Sequence, residues 1–230
     1  LNLVFGAILG KNIPSAYKQC EKFVNSHKFI KEQLYGGGKQ LILRHSLDTM
    51  VGNGFLCIGD AACQVVPTTG SGVGSGLYAA DIAAKAIAGA LNTGDFSIRS
   101  LWEYNYHYQI KRGAILASYD VFRLFVQGLS FKDIQSIFNS RLVKNSNFIA
   151  LYSSNKAVYN IQQILESFST FITNTELIPI GVQMVQAVRD TQKILKIYTD
   201  YPQEPDKEQF LKWQRQVQTI FSRYYPVLQE

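Results

Sequence analysis

The residues whose types and spacing could do chemistry lie close together in this chain, in the segment GDAACQVVPTTGSGVGSG at residues 59–76. The segment directly follows a short apolar stretch. An aspartate at the end of a strand can accept hydrogen bonds from sugar-like hydroxyls, and the glycine before Asp60 lets a ligand approach the backbone. The glycines near position 72 precede a helix, whose first amides carry partial positive charge and favour an anion. The pattern therefore predicts a site for a ligand with hydroxyls and a group that gains negative charge.

Two widespread glycine-rich phosphate loops are excluded by spacing. The dinucleotide-binding pattern GxGxxG needs a third glycine five positions after the first, but that position is Ser75 when counted from Gly70 and Leu77 when counted from Gly72. The nucleoside-triphosphate loop ends in Gly-Lys-Ser or Gly-Lys-Thr, and no lysine directly follows these glycines. Neither loop is present in this segment.

Here the segment resembles a known family. It looks like the second flavin-binding motif of the p-hydroxybenzoate hydroxylase class of FAD-dependent oxidoreductases. That motif consists of a strand, Gly-Asp-Ala-Ala, a loop with proline and glycines, and an alanine-rich helix. Within that class the chain is most similar to the geranylgeranyl reductases, closely over about residues 36–91. The segment Arg44–Asp48 also fits their layout, and Leu3–Gly10 is similar to a core strand of their substrate-binding sheet. The resemblance implies that this chain is the C-terminal part of such an enzyme.

The same resemblance implies FAD as the cofactor and assigns roles around it. Asp60 would hold the ribityl chain, the amides of Gly70–Gly74 would face the pyrimidine side of the flavin, and Pro67 would shape the loop beside the reacting face. Ser71 stands where related reductases often have an acidic residue, so no catalytic residue or proton donor is identified. The implied cofactor-binding residues are Gly59, Asp60, Pro67, Gly70, Ser71, Gly72, Val73 and Gly74.

The sequence also departs from the family pattern. Cys63 occupies a position that is often glycine in the reductases and histidine in the aromatic hydroxylases; a buried, unreactive thiol is the common arrangement, and a redox role is the alternative. The family's first GxGxxG, which holds the ADP half of FAD, is not found in these residues. We therefore expect the chain to need an N-terminal FAD-binding half as its partner and to be inactive alone.

Composition excludes several other classes of protein. The three cysteines have no CxxC spacing and the three histidines are far apart, which argues against a metal site. The net charge of +6 is spread along the chain without a basic run, so nucleic acid is not an expected partner. The apolar start is too short to span a bilayer and lacks the features of a signal peptide. We expect a cytoplasmic protein, with peripheral membrane contact through the basic, aromatic segment Lys207–Tyr224 as an option.

Hydrophobic periodicity and turn residues predict an α+β fold: a fragment of a two-domain FAD- and substrate-binding fold with few strands, followed by a mostly helical C-terminal region. Residues 1–53 would end the substrate-binding sheet, residues 54–94 would form the flavin-contacting strand, loop and helix, and residues 95–230 would be helical. The predicted strands are Leu3–Leu9, Gln40–His45 and a buried Gly54–Ile58, with a turn at Asp48–Asn53. The predicted helices begin at Pro14 and near Gly72 (to about Leu91), run from a Ser97 cap toward Gly128, and cover Phe131–Leu142, Ala157–Ile172, Gly181–Tyr198 and Lys207–Tyr224.

The sequence-based hypothesis is a flavoprotein that reduces carbon–carbon double bonds of an isoprenoid, or another hydrophobic, substrate. The aromatic residues Tyr119, Phe122 and Phe125 form one helical stripe, typical of a core; the resemblance offers a lipid tunnel wall as the alternative. A flavin monooxygenase acting on an aromatic substrate and a quinone-linked dehydrogenase are rival enzymes, although the latter would need cluster cysteines. The rival from another class is a non-catalytic helical interaction domain.

Overall fold

The computed structural model describes residues 3–7, 13–139 and 178–224, which belong to two compact units divided between Leu41 and Ile42. The first unit contains one helix, α1 (Ala16–Ser26), whose start is capped by Ser15 Oγ accepting from the backbone N–H of Lys18. The helix predicted from Pro14 is confirmed, and it begins two residues later. The remaining described residues of this unit have no regular secondary structure.

Two predicted strands are wrong in the residues that the structure describes. Residues 3–7, from the predicted strand Leu3–Leu9, and residues 40–45 have no strand geometry. A strand requires a neighbour that exchanges backbone hydrogen bonds with it, and no described segment pairs with either one. Apolar sequence alone therefore did not suffice to form these strands.

The second unit begins with a short antiparallel hairpin formed by β1 (Val51–Gly52) and β2 (Phe55–Leu56). The turn lies at Asn53 and Gly54, and Gly54 adopts a φ of 79°. The turn therefore follows β1, whereas it was predicted at Asp48–Asn53. The predicted buried strand Gly54–Ile58 is shorter and more exposed than expected, since Phe55 is 58% exposed. Its ring lies across Gly52, where a Cβ atom would overlap it.

The alanine-rich helix α2 (Val73–Thr93) packs closely against the next helix. Its buried face consists of small residues at helical spacing, which lets the two backbones approach. Gly94 ends the helix in the left-handed conformation, with a φ of 68°. The predicted helix is confirmed with its ends shifted by about two residues. The buried small residues are Ser75, Ala79, Ala83, Ala86 and Ala90.

A continuous helical stretch follows the Ser97 cap, whose Oγ accepts from the backbone N–H of Ser100. It consists of α3 (Ile98–Tyr108), one π-helical segment at Gln109–Gly113 and α4 (Ala114–Gly128). The predicted long helix is confirmed, but its pattern gave no sign of the π-helical segment. Such segments insert one extra residue per turn and often occur at functional sites.

The described residues of the second unit contain three further helices: α5 (Phe131–Asn139), α6 (Ile178–Thr199) and α7 (Lys207–Phe221). Helix α6 lies along α4. The predicted helix Ala157–Ile172 and the end of Phe131–Leu142 lie outside the described residues.

Aromatic side chains join α3, α6 and α7 into one core. Trp213 of α7 contacts the rings of Tyr198 and Tyr201 edge-on, with centroids 5.1 and 4.9 Å away. Trp102 of α3 stacks on Tyr201 and donates a 2.9 Å hydrogen bond to the carbonyl of Pro202. Because Trp213 and Phe221 are fully buried, these side chains of α7 pack inside the protein.

The stripe predicted on α4 is mainly core. Tyr119 and Phe125 are buried, and Phe122 is half-buried. Two of its three residues therefore belong to the core, as expected from the spacing of the aromatic residues.

The π-helical segment generates a stability prediction. A Cβ atom at Gly113 would overlap Gln109 Oε1, and that buried side chain cannot move away without losing its hydrogen bonds to Ser46 and to the carbonyl of Leu47. We expect Gly113→Ala to lower the free energy of unfolding by about 1–3 kcal/mol, as overpacking does. Urea denaturation followed by circular dichroism measures this change.

The matched control is Gly89→Ala in α2, where a new Cβ atom meets nothing within 4 Å. There the substitution should raise the free energy of unfolding by about 0.5–1 kcal/mol, because alanine favours the helix more than glycine does. Equal effects of the two substitutions would show that the contact with Gln109 is unimportant.

Candidate functional site

The Gly-Asp-Ala-Ala residues form a single 3₁₀ turn, Gly59–Ala62, not the continuation of a strand. The turn closes through hydrogen bonds from the Cys63 amide to the Asp60 carbonyl (3.1 Å) and from the Gln64 amide to the Gly59 carbonyl (3.0 Å). Gly59 has a φ of 65°, and Cys63 has a φ of 54°, the only positive φ of a non-glycine residue in the described part of the chain. These two reversals leave Asp60 exposed at the surface.

The turn is held in place by the buried side chain of Gln64, which the sequence analysis missed. Its Oε1 accepts a 2.6 Å hydrogen bond from the Gly59 amide. Its Nε2 donates to Tyr104 Oη (2.8 Å) and lies 3.1 Å from Met50 Sδ. Tyr104 Oη in turn donates to the carbonyl of Cys57, 3.1 Å away. One amide thus connects the turn, the hairpin and α3. Burial raises the pKa of Tyr104 to about 12, although the hydrogen bond with Gln64 opposes this shift.

The loop between the turn and α2 is closed by its own backbone. The Val66 amide donates to the Ser71 carbonyl, and the Gly70 amide donates to the Val66 carbonyl, both at 2.9 Å. Gly70 adopts a φ of 72°, which explains the glycine there. Pro67 is buried under the loop whereas Ser71 is exposed, so the proline shapes the loop from the inside.

Asp60 and the start of α2 meet at the surface. A Cβ atom at Gly72 would lie 3.5 Å from Asp60 Oδ1 and 3.4 Å from Val65 Cγ2, which is ordinary van der Waals contact, so the start of the helix lies directly beside the carboxylate. Gly72 is the N-cap of α2 and provides no side chain to bond the first amides. Val73 is 79% exposed, and the space around Gly74 is open. The structure therefore brings the carboxylate and the helix start together.

An arginine from the π-helical segment adds positive charge to the first turn of α2. Arg112 donates through Nε (3.3 Å) and Nη2 (2.8 Å) to Ser75 Oγ, which is buried. The guanidinium charge adds to the partial charge of the helix start. The sequence gave no signal for this pair, because the two residues are far apart in the chain and neither belongs to the glycine motif.

Cys63 is a buried thiol. Burial raises its pKa; the charge of Asp120 adds to this effect and the charge of Arg44 opposes it. Because the thiolate is the reactive form of cysteine, this arrangement supports the interpretation of Cys63 as an unreactive side chain.

A buried ion pair lies near Cys63. Asp120 Oδ2 accepts hydrogen bonds from the amide and from Nδ1 of His45, both at 2.8 Å, while Asp120 Oδ1 accepts from Nε (2.9 Å) and Nη2 (2.7 Å) of Arg123. The imidazole of His45 stacks on the ring of Phe221. Arg44 Nη2 lies 3.2 Å from His45 Nε2 and can only donate, so Nδ1 carries the proton when this ring is neutral. The pair joins residue 45 to α4.

Taken together, the predicted residues form one surface, with Asp60, Gly72, Val73 and Gly74 at its centre. Gly70 and Ser71 border it through the loop, while Gly59 and Pro67 support it from below. The arrangement offers an acceptor for hydroxyl groups next to amides that favour negative charge. In the described ranges we found no helix that is long and apolar enough to cross a bilayer, and no group of three or more metal-ligating side chains.

This chain resembles one known protein along almost its whole length and others over part of it. It is 29% identical over 227 residues to digeranylgeranylglycerophospholipid reductase of Sulfolobus acidocaldarius, covering 97% of this chain and 49% of that protein. It is 32% identical over 140 residues to digeranylgeranylglycerophospholipid reductase 1 of Methanothermobacter thermautotrophicus, covering 59% of this chain and 35% of the relative. No protein-family model matches the chain. The chain thus spans about half the length of the Sulfolobus relative and less of the other.

The anchoring role of Gln64 can be tested by Gln64→Ala. We expect the free energy of unfolding to fall by about 1–3 kcal/mol, because the Gly59 amide and the hydroxyl of Tyr104 lose a buried partner. Hydrogen exchange should also show faster exchange at the amides of residues 59–64. The exposed residue Gln216 offers a control, since Gln216→Ala should change neither quantity noticeably. Unchanged exchange in Gln64→Ala would contradict the anchoring role.

The buried pair at Asp120 predicts a pH dependence of stability. Burial alone would raise the pKa of Asp120, but the hydrogen bonds and charge of His45 and the charge of Arg123 outweigh it and lower the pKa. Since the folded pKa lies below the unfolded value of about 3.9, the ionised carboxylate stabilises the protein above that value. This contribution should be lost as the pH falls through the folded pKa.

Asp120→Asn should therefore cost about 3–5 kcal/mol at neutral pH, the usual cost of breaking a buried pair. Urea denaturation as a function of pH should show a smaller loss of stability on acidification in the variant than in the unsubstituted protein. The control Asp81→Asn removes an exposed pair with Lys85 and should change stability by less than about 1 kcal/mol. Parallel pH profiles for Asp120→Asn and the unsubstituted protein would exclude a contribution of Asp120.

Proposed function

We propose that this chain is the C-terminal part of an FAD-dependent enzyme of the geranylgeranyl reductase family, which reduces carbon–carbon double bonds of an isoprenoid lipid. Four curated relatives carry the name digeranylgeranylglycerophospholipid reductase. Since this chain spans about half of the first of them, the activity belongs to the longer protein.

The observation that carries the proposal is the position of Asp60 beside the uncapped start of α2. A carboxylate beside the first amides of a helix that has no side-chain cap can bind a ligand that presents hydroxyls to the carboxylate and an electron-rich group to the amides. The ribityl chain and the pyrimidine part of a flavin have these two properties. The absence of a Cβ atom at Gly72, and the open space around Gly74, leave room for a planar ring system to lie against the backbone.

Each residue of the site has a proposed role in this arrangement. Asp60 accepts hydrogen bonds from the ribityl hydroxyls. The first amides of α2, supported by the charge of Arg112 on Ser75, stabilise negative charge on the pyrimidine side of the ring. Bound FAD, once reduced, supplies the hydride for the double bond. The proton donor is unassigned, because Ser71 occupies the position at which related reductases often have an acidic residue.

A second half of the enzyme is the proposed partner of α2. Opposite its buried alanines, α2 carries a row of apolar residues at alternating spacings of four and three, the pattern of a helix that packs against another element. Val73 and Leu77, at its start, are 79% and 69% exposed. We call this row the outer stripe of α2; it consists of Val73, Leu77, Ala80, Ala84, Ile87 and Leu91.

The outer stripe supports an N-terminal FAD-binding half as the partner because it starts at the candidate flavin site. A partner that covers the stripe would exclude water beside Gly72 and Gly74 and could supply the contacts to the ADP part of FAD. The isoprenoid substrate adds a further proposal about location. Unless a carrier protein delivers the lipid, the enzyme would bind it at the cytoplasmic surface of a membrane.

Flavin affinity tests the site directly. The protein is co-expressed with the part of the Sulfolobus relative that this chain does not match, and the purified complex is titrated with FAD by flavin fluorescence. We expect Asp60→Ala to weaken FAD binding by about tenfold or more, since a hydrogen bond to a charged group contributes about 1.5–3 kcal/mol. The control Asp81→Ala removes an exposed carboxylate of α2 outside the site and should leave the affinity unchanged.

The reaction is tested on the same complex with a geranylgeranyl lipid and a chemical reductant. Mass spectrometry should show the gain of two hydrogen atoms for each double bond that is reduced. FAD binding without reduction would support another flavin reaction, such as the hydroxylation of an aromatic substrate. A complex that binds no flavin at all would instead favour a helical interaction domain.

A further inference from the structure

A cavity of about 600 Å³ lies between the C-terminal part of α4, the first half of α6 and the residues that follow α7. Its volume is in the range of sites that hold small molecules. None of residues 59–76 lines it, so it is formed by other parts of the chain than the candidate flavin site.

The walls of this cavity are mainly apolar. Leu124 and Phe125 of α4 line it and are almost fully buried, while Val185 of α6 is half-buried and Val182 is exposed. Gly128, the last residue of α4, adds no side chain. A hydrocarbon chain fits such walls, because it removes apolar surface from water at about 25 cal/mol per Å².

Two arginines and one carboxylate lie at the polar side of the cavity. Asp190 is fully buried and accepts hydrogen bonds from Arg223 Nη1 (2.5 Å) and Tyr224 Oη (3.0 Å). This pairing uses the charge of Arg223 to balance that of Asp190. Arg189 is exposed, also lines the cavity, and has no acidic partner among the described residues. The polar side therefore carries one net positive charge, which suits a monoanion.

From the apolar walls and this charge we infer that the cavity binds an anionic lipid. One hydrocarbon chain lies along Leu124, Phe125 and Val185, and the phosphodiester is held by Arg189, with the free N–H groups of Arg223 beside it. The cavity is a second lipid site, in addition to the reacting site of the proposed function. Its occupant is a membrane phospholipid and not the lipid that is reduced.

Calorimetric titration of the purified chain with a short-chain lipid below its micellar concentration tests this inference. The probe is dihexanoyl phosphatidylmethanol, a monoanion whose headgroup offers little besides its phosphodiester. The comparison ligands are dihexanoyl phosphatidylcholine, which adds a cationic group to the headgroup, and inorganic phosphate, which has no chains. We expect measurable binding of the anionic lipid, at least several-fold weaker binding of the choline lipid, and no comparable binding of phosphate.

Two variants separate the headgroup from the chain. Arg189→Gln should weaken binding of the anionic lipid about tenfold, whereas the control Lys193→Gln, one turn further along α6 and outside the cavity, should have no effect. Val182→Trp places a large ring at the opening and should weaken binding of both lipids. All three substituted residues are exposed, so each variant should fold. Circular dichroism verifies this.

The inference is overturned if Arg189→Gln and Lys193→Gln bind the anionic lipid equally well, or if phosphate alone binds as tightly as the lipid. Equal affinities for the anionic and choline lipids would also contradict it. Because the titration contains no flavin and measures no turnover, its result is independent of whether the flavin proposal holds.

Discussion

The buried amide of Gln64 is the contact on which the candidate site depends. The turn at residues 59–62 lies near the surface, and its Asp60 is exposed. Gln64 bonds the Gly59 amide on one side and the hydroxyl of Tyr104 on the other, so the turn is fixed to the first half of the long helical stretch. The same stretch supports α2 through close packing with its alanine face. Asp60 and Gly72 therefore keep their separation because both are attached to α3.

The π-helical segment determines the directions in which the anchoring side chains of this helical stretch point. Gln109, within the segment, bonds Ser46 and the carbonyl of Leu47, and Asn105, one turn earlier, bonds the Met50 amide and the hydroxyl of Thr49. The irregular chain before the hairpin thus follows one side of the helix through side-chain amides. Arg112 leaves the same segment toward α2. An unbroken α-helix would change the angular relation between these side chains, since the π turn adds a residue.

Much of this arrangement could be predicted from the sequence, and the failures have physical causes. The helices around Ser97 and Gly72 were predictable because capping residues and periodic apolar residues are local signals. The glycine motif identified residues that the structure does bring together, Asp60 and Gly72 among them. The strands failed because pairing is not local: Leu3–Leu9 and Gln40–His45 are apolar enough, yet have no partner in the described residues. Gln64, Arg112 and the pair of His45 and Asp120 were missed because each acts on a residue distant in the chain.

The outer stripe of α2 has a thermodynamic consequence for assembly. Contacts between apolar surfaces have an enthalpy close to zero near room temperature, and their formation lowers the heat capacity. They weaken on cooling as a result. If the stripe forms the contact with the other half of the enzyme, the two parts should separate more readily in the cold than at room temperature. Calorimetry should then show an association that is driven by entropy, because water is released from the apolar surfaces.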